Sequence, residues 1–300
     1  VAMAHIQDNG GGELLSSARV KYHRQRMLEL IGLALLGFVV GAYGTVIGAG
    51  GGFILVPALL FLYPDYEPEQ LTAISLAVVM ANAASGSIAY GRQHRIDYLT
   101  GLLFAACAAP GVLAGAIVVG YVPERLFSAM FGAMLLVLAA VAIRGRREAI
   151  RAPIRGAGTI LRQMHDPEGR TYVYAYRIWQ AVVISLAVGF ISSLFGIGGG
   201  VMQVPAMIIL LHIPIQYAIA TSQFTLVFMA GGATVIHVIN GGLGGDQAVK
   251  AIAVSVGAVP GAQVGALLAH RIKPRMVLFL LGGAILVLGV RLILRAAFGL

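Results

Sequence analysis

The chain has 300 residues, of which 59% are hydrophobic and only 11% charged, whereas a soluble domain carries about 25% charged residues. A water-soluble fold of this size could not cover its own surface so sparsely, which excludes a globular enzyme. The formal charge of +9 does not point to nucleic acid: seventeen of the 33 charged residues lie before Met27 or between Arg144 and Arg177, and membrane proteins gather Lys and Arg in cytoplasmic loops.

Residues 1–27 form a polar, Gly-rich tail that turns basic at Arg19, Lys21, Arg24 and Arg26. It has no apolar core, so no cleavable signal peptide is expected in it. Apolar segments follow at 28–63, 71–91, 98–121 and 126–143, making a first membrane repeat over 28–143. A basic cytoplasmic linker occupies 144–177. Further segments at 178–211, 217–239, 248–269 and 276–294 make a second repeat over 178–297. Several exceed the roughly 20 apolar residues that cross a bilayer. The expected fold is an all-α polytopic membrane protein with eight to ten membrane segments.

The two repeats match residue for residue at three places. Gly48-Ala-Gly-Gly-Gly52 precedes Val56-Pro57-Ala58, and Gly196-Ile-Gly-Gly-Gly200 precedes Val204-Pro205-Ala206, an offset of 148. Ala73-Ile-Ser75 lines up with Ala220-Thr-Ser222. Pro110-Gly111 with Gly115 lines up with Pro260-Gly261 and Gly265, an offset of 150. Three matches in one order mark an internal duplication, a hallmark of secondary transporters. The segments 28–63 and 178–211 are too long for single spans. Thirty-six helical residues would rise about 54 Å against a hydrocarbon core of about 30 Å. Each is read as a helix, a Gly-rich break and a shorter helix, and broken backbone at membrane depth is tolerated only where protein or a cavity surrounds it.

If each half crosses an odd number of times, with these segments as hairpins, the repeats are inverted. The linker and the loops 92–95 and 271–275 are then cytoplasmic, and the acidic loop 65–69 and the loop 240–246 lie outside. Every interior loop then obeys the positive-inside rule, at the cost of a basic tail outside. Four crossings per half would instead put the tail inside and Arg271, Lys273 and Arg275 outside. The charge pattern leans to the inverted arrangement.

The two breaks are the leading candidates for a site. Each opens a helix, whose unpaired N–H groups and positive partial charge attract anions. Gly48, Gly50, Gly51, Gly52, Gly196, Gly198, Gly199 and Gly200 are the candidate donors. Ser75, Asn82, Gln203, Ser222 and Gln223 are candidate hydrogen-bond partners, and Pro57 and Pro205 would shape the short helices. The bland alternatives are close packing through small residues, assigned to Gly44 and Gly48, Gly111 and Gly115, and Gly261 and Gly265, and interhelical hydrogen bonds, which also fit Ser85, Ser87 and Thr225. His237 and Asn240 read as interfacial, Arg92, His94 and Arg95 as the cytoplasmic face, and Cys107 as packing. No Asp or Glu falls deep in an apolar segment, which argues against a cation pump. No catalytic set or metal cluster is visible. No cofactor is expected, and the chain is not read as an enzyme.

The paired G-x-G-G-G…V-P-x motifs, the serine that follows each, the basic loop at 92–95 and the Pro-Gly pairs resemble the TauE/SafE family of sulfite and organosulfonate exporters, from Leu28 to Leu294. Ala49 and Ile197 fill the variable position of the motif. The basic linker and the polar tail depart from a compact member. The resemblance implies a multi-pass protein of the bacterial inner membrane that moves a small sulfur-containing anion (sulfite, thiosulfate or an organosulfonate such as sulfoacetate) by alternating access. An anion channel of the same fold and an intramembrane enzyme are the rivals. The expected partners are the anionic substrate and membrane lipid, with no nucleic acid. The coupling ion, proton or sodium, and a homodimer stay open.

Overall fold

The computed structural model describes residues 9–143, 158–165 and 171–269, with five positions between 283 and 290. Helices α1 (Asn9–Val46), α2 (Gly52–Leu62), α3 (Pro68–Arg92), α4 (Tyr98–Val118) and α5 (Glu124–Ile143) precede strands β1 (Thr159–His165) and β2 (Thr171–Arg177). Helices α6 (Ile178–Phe195), α7 (Gly200–Ile209), α8 (Ile215–Ile239) and α9 (Gly245–Ala269) follow. Six described helical stretches are long and apolar enough to cross a bilayer: His23–Val46, Pro68–Arg92, Tyr98–Tyr121, Ile178–Phe195, Ile215–Ile239 and Gly245–Ala269. Large apolar side chains such as Leu35, Val39, Leu102, Val183, Val235 and Leu267 point outward, as lipid-facing surface requires. This is an all-α polytopic membrane fold. Most of the last apolar segment, 276–294, and residues 144–157 of the linker lie outside the described residues.

Helix ends follow local chemistry. Pro68 opens α3 behind a capping box, in which the Glu67 N–H donates to Gln70 Oε1 at 3.1 Å, and Pro is pre-set for the first helical position. Asp97 caps α4 by accepting from the Thr100 N–H at 3.2 Å. Two elements differ from the sequence expectation. The polar tail is helical from Asn9, because Glu13, Leu14, Leu15, Ala18, Arg19 and Lys21 are good helix formers and extending a nucleated helix costs little. The linker ends in an antiparallel hairpin, with Thr159 opposite Arg177 and His165 opposite Thr171. Its second strand, Thr-Tyr-Val-Tyr-Ala-Tyr, has the residues and the alternation of a half-buried strand.

α3 and α8 pack against each other at the centre. α1 runs along α9, and α4 along α6; α3 also touches α9, and α8 touches α4. Every one of these contacts has its counterpart under exchange of the halves. Glycine permits the close approaches. A Cβ on Gly111 or Gly115 would strike the backbone of Leu186 or Phe190, and one on Gly261 or Gly265 that of Phe38 or Ala42. Gly44 differs: it receives the folded-back break at Gly50 and Gly51.

Polar clusters mark the two ends. At one, the Tyr63 hydroxyl at the close of α2 donates to Glu29 Oε1 near the start of the membrane portion of α1, at 2.6 Å, so α2 doubles back along α1. Tyr66 donates to Asp246 at 2.6 Å, Lys250 Nζ pairs with Asp246 at 2.5 Å and lies 3.9 Å from the Tyr63 ring centroid, and Glu69 lies 3.9 Å from buried His237. α3, rising about 1.5 Å per residue, carries the chain to the other end. There Gln93 donates to the Ala266 carbonyl at 3.3 Å, Arg162 pairs with Asp97, and the Tyr172 ring packs on that of Tyr217.

Candidate functional site: the paired glycine breaks

α1 stops at Val46 and α2 starts at Gly52; α6 stops at Phe195 and α7 starts at Gly200. Between them φ is positive at Gly48 (74°), Gly50 (72°) and Gly51 (87°), and again at Gly196 (68°), Gly198 (76°) and Gly199 (93°). The same three motif positions are left-handed in both halves, a conformation costing roughly 1–2 kcal/mol for a residue with Cβ. Ala49 and Ile197 are not left-handed, which explains why the variable position accepts a side chain. The last glycine of each motif is required for space. A Cβ on Gly52 would lie 2.8 Å from the Gly196 oxygen and from Ile197 Cα. One on Gly200 would strike the Gly48 oxygen and come within 2.6 Å of Ala49 Cα. The two breaks therefore touch each other. The N–H groups of Gly48, Gly50 and Gly196 are already bonded, to the carbonyls of Thr45, Gly44 and Ser193, so the donors that the breaks bring to one buried region are those at the very start of α2 and α7. Ile47, Ala49 and Ile197 are fully buried.

The predicted polar partners gather here. Ser75 Oγ donates to the Gly196 carbonyl at 2.6 Å, and Ser222 Oγ to the Gly48 carbonyl at 3.0 Å. Each serine thus holds the break of the other half. Asn82 Nδ2 donates to the Gly50 carbonyl and to Thr45 Oγ1, both at 3.2 Å, and Gln223 Nε2 donates to the Gly44 carbonyl at 3.4 Å. Gln223 Oε1 and both amide atoms of Gln203 are buried without a hydrogen-bond partner among the described residues. Val79 and Leu226, at equivalent places in α3 and α8, both lie against Gly50 and Gly198. Pro57 and Pro205 are each buried at the sixth position of their short helix, where proline leaves one helical N–H bond unmade.

Other candidates lie elsewhere. Ser85 donates to the Val259 carbonyl and accepts from Gln263, and Thr225 back-bonds to Thr221 and reaches the Gly101 carbonyl. His237 is at the Glu69 end, exposed Arg92 closes α3 and exposed His94 lies in the turn that follows, and Cys107 is half-buried on α4. Among the described residues no group of His, Cys, Asp and Glu could hold a metal ion. An apolar groove of about 360 Å³ between α4 and α8 is lined by Leu102, Ala109, Phe228 and Met229; Met229 Cε would meet a Cβ on Gly199 at 3.0 Å.

Sequence reading did not single out Asp97. Its carboxylate is fully buried and accepts from Arg162 Nε at 2.8 Å, Arg162 Nη2 at 2.6 Å, Tyr174 Oη at 2.6 Å and Thr100 Oγ1 at 2.6 Å. Burial alone would push it up, but the hydrogen bonds from Arg162, Thr100 and Tyr174 outweigh that and hold it below the usual carboxylate range. The Asp97 N–H donates to Thr221 Oγ1 at 3.0 Å, so the hairpin is tied to the residue that precedes Ser222. The Asp-x-x-Thr cap and the alternating tyrosines of β2 were the available signals.

Residues 33–292 match the family described as sulfite exporter TauE/SafE. The chain belongs to this family. It is 31% identical over 278 residues to the probable membrane transporter protein YunE of Bacillus subtilis (strain 168), covering 90% of this chain and 100% of the relative. It is 28% identical to the probable membrane transporter protein YdhB of the same strain, over 84% of this chain and 93% of the relative. Identity to the probable membrane transporter protein MJ0441 of Methanocaldococcus jannaschii is 23%, over 68% of this chain and 70% of the relative. No solved structure matches it. The TauE/SafE protein described here is a multi-pass membrane transporter, not an enzyme.

Proposed function

We propose that the protein is a secondary transporter of a small sulfur-containing anion (sulfite, thiosulfate or an organosulfonate such as sulfoacetate) across the bacterial inner membrane. The cargo binds where the glycine breaks meet, among Gly48, Gly50, Gly51, Gly52, Gly196, Gly198, Gly199 and Gly200, with Ser75, Asn82, Gln203, Ser222 and Gln223 around it. The observation that carries this reading is the reciprocal contact of two left-handed glycine turns, each opening a helix, in the buried middle of the molecule. Helix N-termini stabilise anions without a basic side chain. The charged side chains that are buried among the described residues, Asp97 and Lys250, belong to the end clusters, so the middle carries no carboxylate to repel an anion.

The halves are inverted in this reading. Support comes from the ends: Tyr63 meets Glu29 where α1 enters the membrane, while the start of α6 follows a hairpin anchored to Asp97, past the far end of α3. The end with Arg92, Arg95, Arg162 and Arg177 faces the cytoplasm. Cargo is exposed alternately to the two sides by movement of one half against the other around the shared breaks. The test is flux into proteoliposomes of purified protein. Saturable uptake of a sulfur anion, accelerated by the same anion preloaded inside, supports the reading. Unsaturable flux indifferent to internal anion belongs to a channel, and no flux of any sulfur anion removes the cargo assignment.

A further inference from the structure

The two breaks are alike in backbone but not in side chains. Around the first stand Thr45 on α1, Asn82 on α3 and Gln223 on α8: Asn82 bonds both Thr45 and the Gly50 carbonyl, and Gln223 bonds the Gly44 carbonyl. A Cβ on Gly86 would lie 3.2 Å from Thr45 Cγ2 and 3.5 Å from Gln223 Cδ, so these side chains border one space. Applying the repeat offsets of 148 for the breaks and 147 for the serines, the equivalent residues around the second break are Ser193, Met229 and Leu76. The first break carries this polar collar; beside the second, Ser192 and Ser193 on α6 and Gln203 on α7 are the buried polar residues, and Met229 and Leu76 stand where the first has Asn82 and Gln223.

Within that collar one atom is unmatched. Gln223 is fully buried, and its Nε2 faces the Gly44 carbonyl at 3.4 Å. The Gly44 carbonyl also accepts from the Ala49 and Gly50 N–H groups, at 2.8 and 3.2 Å, and turning the amide over would set two carbonyl oxygens against each other, which favours this orientation. Oε1 then faces away from Gly44 with no donor among the described residues. A buried carbonyl oxygen without a donor is costly, and an acceptor next to an anion site repels any ligand that presents only oxyanion oxygens.

We infer that Gln223 is a specificity-determining residue and that the cargo carries a hydrogen-bond donor as well as its negative charge. The helix N-termini take the oxyanion group. Gln223 Oε1 accepts from a hydroxyl, an ammonium or the acidic proton of a half-protonated oxyanion. The inference rests on the proposed anion site at the breaks. A site built to hydrogen-bond a ligand hydroxyl rejects the analogue lacking it far more strongly than a pocket that merely has room for it. Gln223 sets this preference at the first break, where Leu76, in the matching place of the other half, offers no acceptor.

The experiment compares 2-hydroxyethanesulfonate with ethanesulfonate, which share the anionic head and differ in one hydroxyl. Their binding to the purified full chain in lipid nanodiscs is measured by calorimetry, beside sulfite and thiosulfate. Wild-type protein is expected to bind the hydroxylated anion about tenfold more tightly, as one buried acceptor satisfied or left empty requires. Gln223→Leu, which installs the residue of the other repeat, and Gln223→Met are expected to bring the affinities for the two anions within about twofold of each other, whatever their common level. Equal binding by wild type, the result if a water serves Oε1, overturns the inference and leaves the anion site standing. A hydroxyl preference that survives in both variants overturns it too, since another group then reads the donor. Failure to bind any sulfur anion removes the proposed site itself, and the inference with it.

Discussion

Ser75 donates its hydroxyl to the carbonyl of Gly196, 121 residues away in the other half of the chain. Ser222 returns the bond to Gly48. The carbonyls they serve belong to glycines held at positive φ, whose oxygens have left the regular helical ladder. Each half thus secures the turn on which the other half's short helix begins. A protein that moves one half against the other would strain or exchange these two bonds.

Removal of either hydroxyl leaves a buried carbonyl unserved, which costs roughly 1–3 kcal/mol. Ser75→Ala and Ser222→Ala are each expected to lower the thermal midpoint of the purified protein, with Ser75→Ala, which breaks the shorter bond, having the larger effect. Ser75→Thr keeps a hydroxyl and should retain more stability than the alanine variant. Thermal unfolding in one detergent reads all three.

The glycines of the motif are expected to respond by position. Gly198→Ala suffers both the left-handed penalty of about 1–2 kcal/mol and a clash with Val79 Cγ1. Adding Val79→Ala should recover the steric part and leave the conformational part, so the double variant is more stable than Gly198→Ala and less stable than Val79→Ala alone. Ala49→Gly, at a position not held at positive φ, gains nothing from added freedom and is expected to be neutral or mildly destabilising, in line with the usual cost of glycine, about 0.5–1 kcal/mol. Unfolding midpoints of the four variants separate these outcomes.

The Asp97–Arg162 pair predicts an acid-dependent stability. Asp97 is held below its unfolded value, so its contribution is complete above the unfolded carboxylate pKa of about 3.9. It is lost as pH falls from there through the lower folded value. Wild type should lose stability over that range more steeply than Asp97→Asn, whereas at neutral pH Asp97→Asn is the less stable. Arg162→Met, which leaves a buried carboxylate without its cation, is expected to cost on the order of 3–5 kcal/mol, moderated because the Arg162 side chain is 27% exposed. Midpoints measured from neutral to acid pH for the three proteins check the sign.

The duplication, the broken helices and the pairing of Gly48 with Gly196 and Ser75 with Ser222 were all legible, because they rest on repeated residues at a near-constant offset and on helix length against bilayer thickness. The direction of the serine bonds was not. Offset arithmetic says that Ser75 and Ser222 are equivalent; it cannot say that each reaches into the other half, which is set by the packing of α3 on α8. Reading 144–177 by charge hid the strand pattern of Tyr172, Tyr174 and Tyr176. Asp97 did not stand out in the sequence because its partners, Arg162 and Tyr174, are 65 and 77 residues away. Gln223 was visible as a polar residue in an apolar helix, but its unmatched oxygen exists only once Gly44 has claimed its nitrogen.

Whether an anion crosses through the paired breaks is read by counterflow. Proteoliposomes of the full chain are preloaded with unlabelled sulfite and given radiolabelled sulfite outside. Wild type is expected to accumulate label transiently and saturably, and Gly198→Ala, shown to be folded by its elution and unfolding profile, to lose most of that uptake. Label entry that neither saturates nor responds to internal sulfite would mean a channel, and entry unchanged in folded Gly198→Ala would mean that the anion does not pass the breaks.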